Sequence, residues 1–262
     1  TIPIQSEDFE WSSSFNFTSN RNEVVDIGPD DERIFNLGSS EGYYSRLIEG
    51  GRYNDLYVNK FLRDDQGRII FSEGAPRKTD LPELIGNLDP KASLGWNNSV
   101  SFKRFTFGAL INAKFGGKVF SQTQSMLDGY GVSQVTADAR DAGGVTVNGV
   151  DEATGAAITT VDAETWYRAI GDRNGVGEAY VYDRTNVKLS QLSVGYNFDL
   201  SNSGLPIQAA SLSFIGNNLF FFYKDAPFDP ELAISTNQNA QGLDNFNLPS
   251  TGTYGFNLKL TF

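Results

Sequence analysis

The sequence predicts an all-β protein whose antiparallel strands belong to a transmembrane β-barrel rather than to a water-soluble sheet. Three observations carry this. Several segments alternate between apolar and polar residues. Short and long connections take turns between those segments. The last segment, 254–262, is an aromatic-terminated strand with an unguarded edge, ending on Phe262. Period-two alternation places the two sets of side chains on opposite faces of a strand. In 254–262 the even positions Tyr254, Phe256, Leu258, Leu260 and Phe262 are apolar, and the odd positions carry Gly255, Asn257, Lys259 and Thr261.

Upstream segments follow the same rule. Phe9, Trp11, Phe15 and Phe17 share one face, with Glu10, Ser12, Ser14, Asn16 and Thr18 on the other. Phe105, Phe107, Ala109, Ile111, Ala113 and Phe115 form a second apolar face, and Leu192, Val194, Tyr196 and Phe198 a third. Leu212 and Phe214 begin a fourth, which becomes apolar on both sides at 219–223. A shorter alternation surrounds Trp96, Val100 and Phe102, and 43–61 reads as a weaker strand. The count is about seven or eight strands, each near the length that crosses a bilayer at a tilt.

Lys103-Arg104 reads as a tight turn and 201–206 as a short one rich in turn formers. The connections 62–91, 126–178 and 224–250 are long. Outer-membrane barrels have this asymmetry, short turns at one end and long loops at the other. The fairly long stretch 26–42 breaks the parity. Within 126–178, rich in Gly, Ala, Val, Thr and Asp, small strands or a short helix near Ala163–Ile170 are expected.

Alternation alone fits a half-buried strand of a soluble β-sandwich equally well. Two features favour the barrel. Soluble sheets guard their edges with charge, proline or bulges, whereas closure removes the edge altogether. Aromatics also gather near strand ends, at 220–223 and at Tyr180 and Tyr182, as interfacial girdles require.

Composition narrows the chemistry. The 262 residues suffice for one large all-β domain or two smaller ones. Aromatics make up 13%, mostly Phe (20) and Tyr (11), with 27 Gly and a single Met. Cys and His are both absent, which removes disulfides, thiol chemistry, a Ser-His-Asp triad and the commonest metal ligand. A net charge of −11 argues against nucleic acid as a partner. No apolar run is long enough for a transmembrane helix, a test that spanning strands evade.

The acidic clusters Asp30-Asp31-Glu32, Asp64-Asp65 and Asp225/Asp229/Glu231 are the candidates for calcium or for a carboxylate-pair hydrolase. Solvated loop charge is the simpler reading. Asp64-Asp65-Gln66-Gly67 resembles the start of a calcium loop, but Ala75 stands where the bidentate Glu belongs. The loop aromatics Tyr130, Trp166, Tyr167 and Phe228 are candidates to stack on sugar rings or on a lid protein, with ordinary loop anchoring the simpler reading.

The segment 180–262 resembles the C-terminal portion of the SusC/RagA family of TonB-dependent outer-membrane transporters. The resemblance rests on Tyr180, Tyr182 and Asp183 leading into Val187-Lys188-Leu189 and an alternating run to Tyr196. It also rests on Gly216-Asn217-Asn218-Leu219-Phe220, on Asp229-Pro230-Glu231, and on the terminal strand. Weaker echoes lie at 11–22, at Glu49-Gly50-Gly51 with Tyr57 and Phe61, and at 102–120 with Gly116-Gly117.

The resemblance implies that 1–262 is about the last third of a barrel of about 22 strands, a fragment without the plug and TonB-box. A complete small barrel of about eight strands is the alternative closure. It also implies a bacterial outer-membrane location and active import of oligosaccharides or peptides. The implied partners are a SusD-like surface lipoprotein as lid, the TonB complex acting through the missing N-terminal part, the remaining barrel and plug, the lipid membrane and a dimer of transporter–lipoprotein pairs. No catalytic residue, metal or cofactor is expected. A soluble carbohydrate-binding β-sandwich is the alternative. On the barrel reading Phe256 and Leu258 face lipid, so Lys or Arg at either position is expected to cost about 2–4 kcal/mol near the midplane. Normal outer-membrane assembly of such variants, measured by membrane fractionation, would count against this facing.

Overall fold

A computed structural model describes residues 1–28, 34–171, 173–201, 204, 206–232, 234 and 240–262. Six long strands form a wall: β1 (Phe9–Ser19), β2 (Ala92–Phe102), β3 (Phe105–Phe115), β4 (Asn186–Asp199), β5 (Ala209–Lys224) and β6 (Thr253–Thr261). Each pairs antiparallel with its chain neighbour, and the two-residue strand Ile4–Gln5 adds to the outer side of β1. Three of the six have 11 residues and β6 has 9, within the span of about 9–11 that crosses a bilayer at a tilt. Among the described residues β6 pairs only with β5, and the sheet stays open. The small closed barrel is therefore not what this chain forms.

Register decides which side chains share a face. Phe9, Phe102, Phe105 and Tyr196 stand opposite one another across four strands, and the row continues through Leu212 to Leu258. The next rows join Trp11, Val100, Phe107, Val194, Phe214 and Phe256 in the same way. The other face carries Ser12, Ser99, Gly108, Ser193, Ile215 and Gly255, and in adjoining rows Glu10, Ser101, Thr106, Gly195, Ser213 and Asn257. One face is thus apolar from β1 to β6, and the other is small and polar.

Two polar residues, Ser13 and Asn98, sit midway along the apolar face, and each has a partner there. Asn98 Oδ1 accepts from the Trp11 indole at 3.2 Å, and Ser13 Oγ accepts from the Trp96 indole at 2.9 Å. Trp96 also stacks on Phe15, with ring centroids 5.4 Å apart. Buried donors need acceptors, and these two residues supply them.

The connections alternate strictly. Lys103-Arg104 and 200–208 are short and lie at one end of the wall; 20–91, 116–185 and 225–252 are long and lie at the other. Asn202, Ser203 and Leu205 of the expected second turn lie outside the described residues. The expected strand 43–61 is not part of the wall. It divides into Tyr43–Ile48 and Asp55–Val58, separated by left-handed residues at Gly50 (φ 77°) and Asn54 (φ 63°). Both pieces belong to a separate four-stranded sheet with Ile34–Ser40 and Glu83–Asn87. Removing 43–61 from the wall restores the parity that 26–42 had broken.

The three long excursions fold together into a cap. Its core joins Tyr43, Leu56, Val58, Phe71 and Leu88 of the first, Phe120, Val161, Trp166, Ile170, Val176 and Tyr180 of the second, and Leu243 of the third. No residue of this core comes from the wall. The expected helix Ala163–Ile170 (α3) is present, capped by Asp162, whose carboxylate accepts from the Thr165 amide at 3.0 Å. Two further helices, α1 (Gln122–Gly129) and α2 (Gln134–Asp141), precede it. Ser121 caps α1 by accepting from the Gln124 amide at 3.0 Å. The Ser-x-x-Gln spacing is the sequence signal that could have found this helix.

A sandwich would need a second sheet against the apolar face of the wall. Nothing in the described chain lies there, and Phe15, Phe17, Tyr254, Phe256 and Leu258 stand exposed. Replacing Asn98 with Leu removes the acceptor of the Trp11 indole while adding apolar surface. The expected loss is about 1–3 kcal/mol of stability from the stranded donor, read as a lowered unfolding midpoint of the intact protein. An unchanged midpoint would mean that the indole finds another acceptor.

Candidate functional site

The surface available to a solute is the polar face of the wall together with the cap above it. Along the face, Ser, Asn, Thr and Gly dominate. Asn112 Nδ2 donates to Ser190 Oγ at 2.7 Å across the β3–β4 pair. Such a surface offers hydrogen bonds without strong charge.

Charge concentrates where this face meets the cap. Lys114 of β3 and Lys188 of β4 rise toward Asp229-Pro230-Glu231, which lies in the third excursion. Lys114 Nζ meets Glu231 Oε1 at 2.7 Å. Lys188 Nζ lies 3.8 Å from Asp229 and 3.7 Å from Glu231, and 4.8 Å from the centre of the Phe221 ring. Lys188 is only 5% exposed and Pro230 is fully buried. The ammonium is therefore held by two carboxylates and an aromatic face in a site largely closed to water.

Arg184, just before β4, ties the excursions to one another. Its Nη1 donates to the Leu88 carbonyl of the first at 3.1 Å, and its Nε donates to the Pro230 carbonyl of the third at 3.1 Å. Gln241 of the third excursion accepts from Tyr43 through its carbonyl (2.6 Å) and from Asn54 through its side chain (2.9 Å). Ser121 Oγ donates to Asp244 at 2.6 Å. The cap is one polar-stitched body set on the wall.

The candidates from sequence separate under this geometry. Asp30-Asp31-Glu32 lie outside the described residues. Asp64 is held by Arg68 at 2.7 Å, and the guanidinium and nearby amides keep its carboxyl below the usual range. Asp225 accepts from the Asp183 amide at 3.3 Å. Asp229 and Glu231 engage the lysines. Among the described residues no three metal-ligating side chains gather into a site. Asp64, Asp225, Asp229 and Glu231 thus make contacts within the chain.

Trp166 is a core residue stacked on Phe61 and Phe71, with centroids at 5.5 and 6.3 Å. Phe228 packs edge-on against Tyr182 at 5.6 Å. Tyr180 is buried in the cap core and Tyr182 pairs with Val119 in a cap strand, so neither belongs to a girdle. The short helix Gly177–Tyr180 and the strand Val181–Asp183, which pairs with 118–120, belong to the cap and precede β4. The group at Phe220, Phe222 and Tyr223 does stand exposed at the upper end of β5, with Phe220 against Phe222 at 4.9 Å. Tyr130 and Tyr167 come together in a cap cleft of about 520 Å³ between α1, α2 and α3, with Arg140, Glu164 and Arg168 at its edge. Sequence spacing does not bring these two tyrosines together; the packing of the three helices does.

No family model matches the chain. The chain is 27% identical to TonB-dependent receptor P3 of Formosa agariphila over 99% of its own length, and 25% identical to TonB-dependent receptor P39 of the same organism, again over 99%. It spans 27% and 29% of those relatives. Among solved structures, the RagAB peptide importer in its open-open state matches all of the chain with a TM-score of 0.67 at 16% identity, over 27% of that chain. The closed-closed state gives a TM-score of 0.66 at 14% identity. The chain is thus similar from end to end to TonB-dependent receptors, and its wall has the fold of part of the RagA barrel.

The Lys188 cluster sets a test of how the cap is held. Removing both carboxylates with Asp229→Asn and Glu231→Gln strands a buried cation, and the expected loss is about 3–5 kcal/mol. Lys188→Met removes the cation as well and is expected to cost less. Limited proteolysis of the 225–252 segment in the intact protein reads both. Equal sensitivity of the two variants would show that the cluster carries no buried charge penalty.

Proposed function

We propose that this chain is the C-terminal wall and outer-loop portion of a TonB-dependent importer in the bacterial outer membrane, and that 1–262 is one continuous part of its barrel domain. The observation that carries this reading is the apolar face, continuous across six strands, which nothing among the described residues covers. Water does not tolerate such a face, and lipid does. The polar face then lines the lumen, the short turns face the periplasm, and the cap stands on the outer side.

The remaining strands of the parent barrel join β1 and β6 and close the wall. A plug and TonB-box in that remainder couple the barrel to the TonB complex. A SusD-like lipoprotein rests on the cap as a lid, and such pairs dimerise. The cargo is an oligosaccharide or a peptide, handled by hydrogen-bonding side chains and loop aromatics such as Tyr130 and Tyr167. On this reading the wall needs no covalent chemistry, and Asp64, Asp225, Asp229 and Glu231 serve structural contacts with Arg68, the Asp183 amide, Lys114 and Lys188.

The test is to fractionate cells expressing the intact parent protein and to compare unboiled with boiled samples on an SDS gel. Recovery in the outer membrane with a heat-dependent mobility shift is expected. A soluble, detergent-independent protein with no shift would overturn the reading and favour a soluble binding module.

A further inference from the structure

A second cleft, of about 410 Å³, opens where the cap meets the upper ends of β2 and β3. Glycines line part of it. A Cβ at Gly86 would lie 2.8 Å from Lys118 Cγ, and one at Gly116 would lie 3.2 Å from Lys91 Cδ. The absent side chains leave room for two lysine stems. Gly116 also holds a left-handed φ of 69°, which favours glycine there for a second reason. The Lys91 amide donates to the Phe115 carbonyl at 2.9 Å, which fixes the lysine one step above the top of the β2–β3 pair.

Arg52 lines the same cleft, and its Nε is buried with no acceptor. The carboxylates nearby are already engaged. Asp183 takes Lys118 at 3.4 Å. Asp55 accepts from the Arg52 amide at 2.8 Å and from Asn87 Nδ2 at 2.9 Å. Asp89 accepts from Asn54 Nδ2 at 3.1 Å. Among the described residues neither Arg52 nor Lys91 forms an ion pair. In a chain of net charge −11, two cations without an ion pair lining one cleft, one with a buried unpaired donor, are an arrangement that an incoming anion completes.

The geometry points to this cleft as a binding site for a carboxylate group on the imported ligand, with Arg52 and Lys91 as the binding residues. The guanidinium fork matches a planar carboxylate, and Lys91 adds a mobile point charge. The ligand's being cargo rests on the importer reading; the carboxylate chemistry does not. An acidic peptide and a uronic-acid glycan present the same group.

Calorimetric titration of the intact parent protein in detergent distinguishes them, with triglutamate, trigalacturonate and neutral maltotriose as probes. At least one acidic trimer is expected to bind, more weakly at high salt, and the one that binds identifies the source. Arg52→Gln with Lys91→Gln is expected to weaken that binding roughly tenfold or more, and Lys91→Arg alone to retain it. Any maltotriose affinity should be unchanged in the double variant.

Failure of both acidic trimers to bind the unaltered protein, or equal affinity in the double variant, would overturn the assignment. The heat-dependent gel shift of the same preparations reads the barrel separately. A normal shift without acid binding sinks the cleft alone, and an absent shift in the unaltered protein sinks the importer reading. If the double variant loses the shift, the exposed Lys91→Gln alone carries the comparison, with a fall in affinity still required.

Discussion

Everything in this structure depends on the antiparallel register across six strands, continuous from β1 to β6 in the rows on the short-turn side of the bulges near Ser190. Side chains alternate with a period of two, so a slip of one residue at any pair would exchange the faces of every strand beyond it. The row from Phe9 to Leu258 shows the register kept from one edge of the wall to the other. Pairing between chain neighbours has a second consequence. Successive connections must leave from opposite ends, so every long excursion emerges at the same end and the three can share a core.

The two halves are stabilised by different physics. The cap is an ordinary hydrophobic core, closed around Tyr43, Leu56, Phe71, Phe120 and Leu243. The wall has no such core. Its stability comes from backbone ladders and cross-strand pairs, and from the medium on its apolar side. The indoles of Trp11 and Trp96 fit this account. Each carries a donor into an apolar face, and each has a short polar side chain placed to accept from it.

The joint between the halves is ionic. Lys114 and Lys188 approach the third excursion from the wall, and Asp229 and Glu231 receive them. Pairs of this kind add little net stability when buried, since desolvation offsets attraction. Their use is in direction: they accept one arrangement of loop on wall and penalise the others.

The sequence by itself determined the wall. Period-two alternation at 9–17, 105–115, 192–198 and 254–262 is a local pattern, and it survives because spanning strands must keep one face apolar along their whole length. The helix at Ala163–Ile170 was legible for a similar local reason. The tertiary structure alone decided the cap. Its strands are short and buried on mixed sides, so 43–61 looked like one more wall strand until Gly50 and Asn54 turned it aside. The bonds of Tyr43 to the Gln241 carbonyl, and of Arg184 to the Leu88 and Pro230 carbonyls, join segments far apart in the chain. Such contacts are set by how three excursions pack at one end of the sheet, and no periodicity within any one of them encodes the distance to another.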